Sequence, residues 1–144
     1  MTEIQVNEKL LEDCYLLGRL DDSILLLMRN ALFPWFVLVP QSNEIEFYKL
    51  AHDLQAKVIE HVNYISEFIE DNYSIDKINI ASIGNVVSQL HVHIIGRNKE
   101  DPCWPDVVWG TSEFKHYEAG QIDHIKEKLA ETFQDIFHMQ VDSV

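Results

Sequence analysis

The stretch Gln89-Leu90-His91-Val92-His93-Ile94-Ile95 decides how this chain is read. Leu90, Val92 and Ile94 are aliphatic, whereas Gln89, His91 and His93 hold the intervening positions. Side chains alternate between the faces of a strand, so the spacing predicts a strand with one face in the core and three polar groups in a row on the other. Residues two apart on a strand are separated by about 6.5 Å, from roughly 3.3 Å per residue, which lets both imidazoles engage one phosphate. On a helix they would diverge.

Upstream, Gly84-Asn85-Val86-Val87-Ser88 supplies a glycine turn whose N–H groups can donate to phosphate oxygens. Ile78 to Ile83 is a strand candidate before that turn. Nearer the N-terminus, Tyr15 to Leu20 and Ser23 to Arg29 flank the Asp21-Asp22 turn and read as a β-hairpin. Trp35 to Val39, bounded by Pro34 and Pro40, suits a further strand because prolines sit at strand ends.

Three segments change period or have none. From Asn43, apolar residues Phe47, Leu50, Leu54, Val58, Val62, Ile65 and Phe68 recur every three or four positions, with Asn43 and Glu46 placed as a capping-box pair. This predicts one long amphipathic helix from Asn43 to near Asn72. Asn7 to Asp13 reads as a short helix, and Gly120 leads into a final one whose apolar face is Ile122, Ile125, Leu129, Phe133, Ile136 and Phe137. Between Arg97 and about Ala119 lies a stretch rich in Trp, Pro and charge without a period, and long ordered loops of that kind often cover sites. With no repeat or Gly/Ser-rich linker, the expectation is one α+β domain over 1–144, with a mostly antiparallel five-stranded sheet, a long helix and a C-terminal helix.

Composition narrows the function classes. Twenty-four acidic residues against 11 basic ones give a net charge of -13, which would repel a long polyanion and argues against DNA or RNA as partner. A small phosphate ligand would have to be met locally by amides, a few side chains or a metal ion. The apolar runs Ile24 to Met28 and Trp35 to Val39 fall far short of the roughly 20 residues that span a bilayer, and no cationic start precedes an apolar segment. A soluble cytoplasmic protein with no membrane partner is expected. Cys14 and Cys103 have no spacing that suggests a disulfide framework or a zinc knuckle; Cys14 is expected in the core and Cys103 in a loop, both as thiols.

A His-X-His pair has several readings. One buried histidine is usually a hydrogen-bonded structural residue, and the pair also serves as a metal ligand. A metal enzyme of the cupin kind needs a glutamate a few residues later and a distant third histidine, whereas Ile-Ile-Gly-Arg-Asn-Lys separates His93 from Glu100, so no metal site is expected. His52, His61, His116, His124 and His138 lack a second histidine at ligand spacing and read as surface or rim residues.

The whole pattern resembles the histidine-triad (HIT) superfamily, whose signature is His-φ-His-φ-His-φ-φ with φ apolar; Gln89 stands at the first histidine position. Pro34-Trp35-Phe36-Val37-Leu38-Val39-Pro40 is similar to that family's Pro-Gly-His-φ-Leu-Val strand, with Trp35 and Phe36 in place of Gly-His. The likeness runs from about Leu25 to Trp109, and Gly84-Asn85-Val86-Val87 with Trp104-Pro105 and Trp109-Gly110 looks like a bacterial diadenosine tetraphosphate hydrolase-like subgroup.

The resemblance implies a nucleotide phosphate hydrolase acting on diadenosine polyphosphates or nucleoside phosphoramidates. His91 would attack the α-phosphorus to form a nucleotidyl-histidine that water hydrolyses. In the family the attacking ring is oriented by a backbone carbonyl at the first triad position, which Gln89 carries like any residue. His93 would bind the α-phosphate or help the leaving group as a protonated ring. Asn30, Asn79, Asn85, Ser88 and Gln89 are candidate nucleotide contacts, and Trp104 and Trp109 candidates to stack on a base. A homodimer is implied; no cofactor is required, and magnesium is left open as a companion of the substrate. The rival reading is a nucleotide-binding protein without turnover, suggested by the missing first histidine.

Overall fold

The computed structural model describes residues 3–141. Helix α1 (Glu8–Asp13) is capped by the Asn7 side chain, which accepts from the Lys9 N–H, and leads directly into strand β1 (Cys14–Leu20). Strand β2 (Ser23–Met28) returns antiparallel to β1 through a turn in which Asp21 takes a positive φ of 50°, a conformation that aspartate tolerates better than most residues. Strand β3 (Trp35–Val39) pairs with β2, and helix α2 (His52–Asn72) crosses to β4 (Lys77–Ala81), β5 (Val92–Arg97), helix α3 (Gln121–Thr132) and β6 (Phe137–Met139). The strands form one sheet in the order β4-β5-β3-β2-β1-β6, with every pairing antiparallel.

Both faces of the central strands are covered, so β2 and β3 read as continuous apolar runs rather than alternating ones. On one face Leu25, Leu27, Phe36, Leu38, Val92 and Ile94 pack against Val58, Ile65 and Phe68 of α2 and Leu129 of α3. On the other, Leu26, Trp35, Val37 and Ile95 pack beneath Ile4, Val6, Leu10, Val108 and Trp109. This second cover is built from the N-terminal segment and the long loop after β5, and it is the face that carries the histidines. Gly96 permits the close approach of α2 to β5: a Cβ there would stand 2.7 Å from both Ile69 Cγ2 and Pro34 Cγ.

Four expectations are corrected. The sheet has six strands rather than five, because the apolar face assigned to the last helix stops at Thr132; Phe137 then enters the core from β6. Gly18 makes that strand possible, since a Cβ at this position would collide with the His138 carbonyl. Helix α2 begins at His52, not Asn43: Leu50 is buried in an extended conformation that interrupts the helix, and a single 3-10 turn at Phe47–Lys49 precedes it. No side-chain hydrogen bond caps α2, so the Asn43 and Glu46 capping box does not form. The fifth strand starts at Val92 rather than Gln89. His61, expected at the surface, is 1% exposed and joined to Ser23 Oγ at 2.9 Å and to Asp21 Oδ2 at 3.1 Å. Cys14 is buried and Cys103 half-buried, as their contexts suggested.

Candidate active site

β5 and β3 bring the site together through their register. Val37 lies opposite His93 and Trp35 opposite Ile95, so Trp35 and His93 are diagonal neighbours on the same face. The Trp35 indole Nε1–H donates to His93 Nδ1 at 2.9 Å. Trp109, from the long loop, sets its ring edge-on to both, with centroids 5.5 Å from Trp35 and 5.1 Å from His93.

His91 sits just before β5, held by a hydrogen bond from Ser82 Oγ to its own carbonyl at 3.0 Å. Its Nδ1 lies 2.6 Å from the Gln89 carbonyl oxygen. A carbonyl only accepts, so Nδ1 carries the hydrogen and the neutral ring has its lone pair on Nε2. The two imidazole centroids are 4.9 Å apart. Although His91 is 5% and His93 6% exposed, neither Nε2 has a hydrogen-bond partner among the described residues. No fully buried side-chain nitrogen or oxygen lacks one among the described residues, so both Nε2 atoms keep contact with the surface.

The electrostatics differ from the expectation for His93. Burial, reinforced by the neighbouring His91, pushes its pKa down to about 4. The ring is therefore neutral near pH 7, not the protonated partner that opposite charges on the two rings would require.

The remaining candidates fall in distinct places. Gln89 contributes its carbonyl to His91, while its side chain turns to the N-terminal segment, accepting from Asn7 N–H at 2.8 Å and donating to the Gln5 carbonyl at 2.9 Å. Asn30 is buried and fully engaged: its Oδ1 accepts from the Leu32 and Lys115 N–H groups and its Nδ2 donates to the Glu113 carbonyl. It borders a cleft of about 360 Å³ that Trp35, Trp109, Arg29 and Phe114 also line. Asn79 is on β4, where its Oδ1 accepts from the buried Arg97 guanidinium at 3.0 Å. Asn85 is exposed on the turn after Gly84, whose φ is 72°. Ser88 borders a polar groove of about 320 Å³ with Asn7, Ser42 and Gln89. Trp104 lies over the Arg97 guanidinium at 5.8 Å rather than beside the histidines.

A larger cavity, about 440 Å³ between the N-terminal segment and β6, contains neither histidine of the pair. Among the described residues no three His, Cys, Asp or Glu side chains are grouped to hold a metal ion. Two contributors escaped the reading of the sequence. Ser82 carries no pattern of its own, whereas Trp35 is signalled by its place on the strand next to β5, two positions along from the residue opposite His93.

Comparison with known proteins agrees with this architecture. The HIT domain model matches residues 11–100. A histidine triad protein of Bradyrhizobium japonicum is 32% identical, with a TM-score of 0.86 over 92% of this chain and 99% of that one. One from Marinobacter aquaeolei is 33% identical, with a TM-score of 0.85 over 94% and 99%. A third, from Sinorhizobium meliloti, is 31% identical, with a TM-score of 0.83 over 89% and 96%. No match is found among curated proteins. The family model covers more than half of the chain, and the three structures agree with it over nearly their full lengths; this protein belongs to the HIT domain family of histidine triad proteins.

Proposed function

We propose that the protein is a nucleotide phosphate hydrolase in which His91 is the nucleophile. The observation that carries this reading is the 2.6 Å bond from His91 Nδ1 to the Gln89 carbonyl, which places the lone pair of the neutral ring on Nε2, at the surface. In the first step that pair forms a P–N bond at the α-phosphorus while the bond to the leaving group breaks and its electrons depart with that group. The charge gained by the ring is stabilised by the Gln89 carbonyl on the opposite nitrogen. Water then attacks phosphorus, the P–N bond breaks, its electrons return to Nε2 and the water proton passes to solvent.

The cleft bordered by Trp35, Trp109 and Asn30 is lined by the two tryptophans that pack against His93 and offers aromatic surface to a base. Diadenosine polyphosphates and nucleoside phosphoramidates are the substrate classes, with diadenosine tetraphosphate first in line from the Gly84-Asn85-Val86-Val87 and Trp109-Gly110 patterns. Asn85 and Ser88, exposed on the turn before the pair, contact the distal part of the substrate. Magnesium, where it takes part, arrives with the substrate phosphates; no resident cofactor is needed. The protein acts as a cytoplasmic homodimer. Support for pairing comes from the open edge at β4, where Ile80 is 55% exposed, and from Ile83 just beyond its end, 45% exposed. No helix of the described residues is long and apolar enough to cross a membrane.

The test is incubation of wild type and His91→Ala with diadenosine tetraphosphate and with an adenosine phosphoramidate, following products by chromatography. Release of AMP by wild type and its loss in the variant are expected. A wild type inert on both overturns the hydrolase reading.

A further inference from the structure

We propose that Trp35 is the positioning and specificity residue of this site, because its indole holds His93 as a neutral Nε2–H donor. The site then selects nucleotides whose leaving group is a phosphate over nucleoside phosphoramidates, whose leaving group is an amine. The selection rests on the hydrolase reading above; the state of the His93 ring does not.

An indole N–H can only donate, so the 2.9 Å bond from Trp35 Nε1 requires an unprotonated His93 Nδ1. The neutral ring that satisfies this carries its hydrogen on Nε2. A protonated ring would place an N–H against an N–H, losing the bond and burying two opposed donors. Trp35 is 4% exposed and wedged between Phe33 and Trp109, with ring centroids 6.4 and 5.5 Å away, so it cannot swing aside to relieve that conflict. The rings facing His93 are Trp35 from β3, Trp109 from the long loop and His91 from its own segment. The two tryptophans bear no charge, and a proton on His91 would repel one on His93. The depressed pKa of His93 agrees with this geometry.

The chemical consequence depends on where the electron pair goes. When a P–O bond to a polyphosphate breaks, the pair settles on an oxygen whose conjugate acid has a pKa of about 6, and a hydrogen bond from a neutral Nε2–H suffices. When a P–N bond breaks, the pair settles on a basic amine nitrogen that must receive a proton during departure. A neutral imidazole is a far weaker acid than an imidazolium, and general acid catalysis contributes about 10²- to 10⁴-fold. The site therefore forgoes that factor for amines and loses little for phosphates.

The experiment combines histidine-selective ¹⁵N NMR with substrate competition. In wild type, His93 should show an unprotonated Nδ1 and protonated Nε2 from about pH 5 to 8, the range in which an ordinary histidine titrates. Diadenosine tetraphosphate should be cleaved at least about 100-fold more efficiently than an adenosine phosphoramidate, the low end of the general-acid factor. Trp35→Phe keeps the ring but removes the donor; its His93 should titrate at higher pH, and the substrate ratio should fall about tenfold or more. The wild-type spectrum needs no variant, so a poorly folded Trp35→Phe leaves the test intact. Wild-type His93 titrating near its ordinary value, or carrying the Nδ1 hydrogen, overturns the tautomer assignment. An active wild type that prefers the phosphoramidate, or a ratio unmoved in folded Trp35→Phe, overturns the specificity role alone. A wild type that cleaves neither substrate while His93 stays locked overturns the hydrolase reading and the selection with it, and leaves the lock standing.

Discussion

The Gln89 side chain is tied to Asn7 and its neighbourhood rather than to the histidines: Oε1 accepts the Asn7 N–H at 2.8 Å while Nε2 reaches the Gln5 carbonyl at 2.9 Å. The residue at the first triad position thus divides its work. Its backbone carbonyl orients His91, and its side chain fastens the N-terminal segment across the face that carries the site.

Gln89→Ala should separate those two tasks. The carbonyl survives the substitution, so ¹⁵N NMR should still find the hydrogen of His91 on Nδ1. The Asn7 amide should exchange faster, and stability should fall by about 1 kcal/mol for the lost side-chain bonds. A His91 ring that changes tautomer in this variant would show that the side chain, not the carbonyl, sets its orientation.

Asp101 and Arg97 form a second pairing with consequences, this time for stability. Arg97 is 2% exposed; its Nε and Nη2 donate to the two Asp101 carboxylate oxygens at 2.8 and 3.1 Å, beneath the Phe33 and Trp104 rings. Burial opposes the charge of Asp101, but hydrogen bonds from Arg97 and from the Asn98 and Cys103 N–H groups outweigh it and hold the carboxyl below its usual range. Asp101→Asn leaves a buried guanidinium without its counter-charge and should cost about 3 kcal/mol in urea unfolding at neutral pH. Because the folded pKa is depressed, this stabilisation is complete above the unfolded value of about 4 and is lost as pH falls toward the folded one. Unfolding followed below about pH 4 should therefore show a shallower acid dependence in the variant than in wild type.

How far the residue pattern reached can be judged at particular positions. The hairpin around Asp21, the strand bounded by Pro34 and Pro40 and the body of α2 follow from local chemistry and appear where that chemistry puts them. Phe137 does not, since it continues the four-residue spacing of α3 yet belongs to β6; only the close approach at Gly18 distinguishes the two. His61 shares the helical face of Val58, Val62 and Ile65, a period that points into the core, yet without a second histidine at ligand spacing it reads as a surface residue. Its bonds to Ser23 and Asp21 depend on how α2 crosses the hairpin, which no local pattern encodes. The Trp35 bond to His93 is of the same kind, a consequence of β3–β5 register.

Trp109 should matter to nucleotide affinity if the aromatic cleft takes the base. Its ring is half-buried, edge-on to Trp35 and His93, and lines the cleft with Asn30. Aromatic stacking on a base contributes about 1–3 kcal/mol, so Trp109→Ala should weaken AMP binding, measured by calorimetry, by about tenfold. Trp104→Ala, whose ring lies over Arg97, should leave that affinity unchanged and lower stability instead. Equal affinities for wild type and Trp109→Ala would place the base elsewhere.

His93 should leave a mark on stability as a function of pH that is independent of any substrate. Its folded pKa is about 4, lowered by burial and then by His91, whereas the unfolded chain titrates near 6.5. Between those values the unfolded state binds more protons than the folded one, so stability must rise with pH across the window. It is complete above about pH 6.5 and is lost as pH falls through the folded value, by roughly 3 to 3.5 kcal/mol in all on the relation of about 1.4 kcal/mol per pKa unit. Asp101 contributes only at the lower edge of this range. Urea unfolding of wild type at about pH 7 and pH 5 should show the decline, and His93→Asn, which cannot take up the proton, should flatten it. A wild-type stability that is level across this window would mean that His93 accepts a proton in the folded protein as readily as in the unfolded chain, and the Trp35 bond would then have to break to admit it.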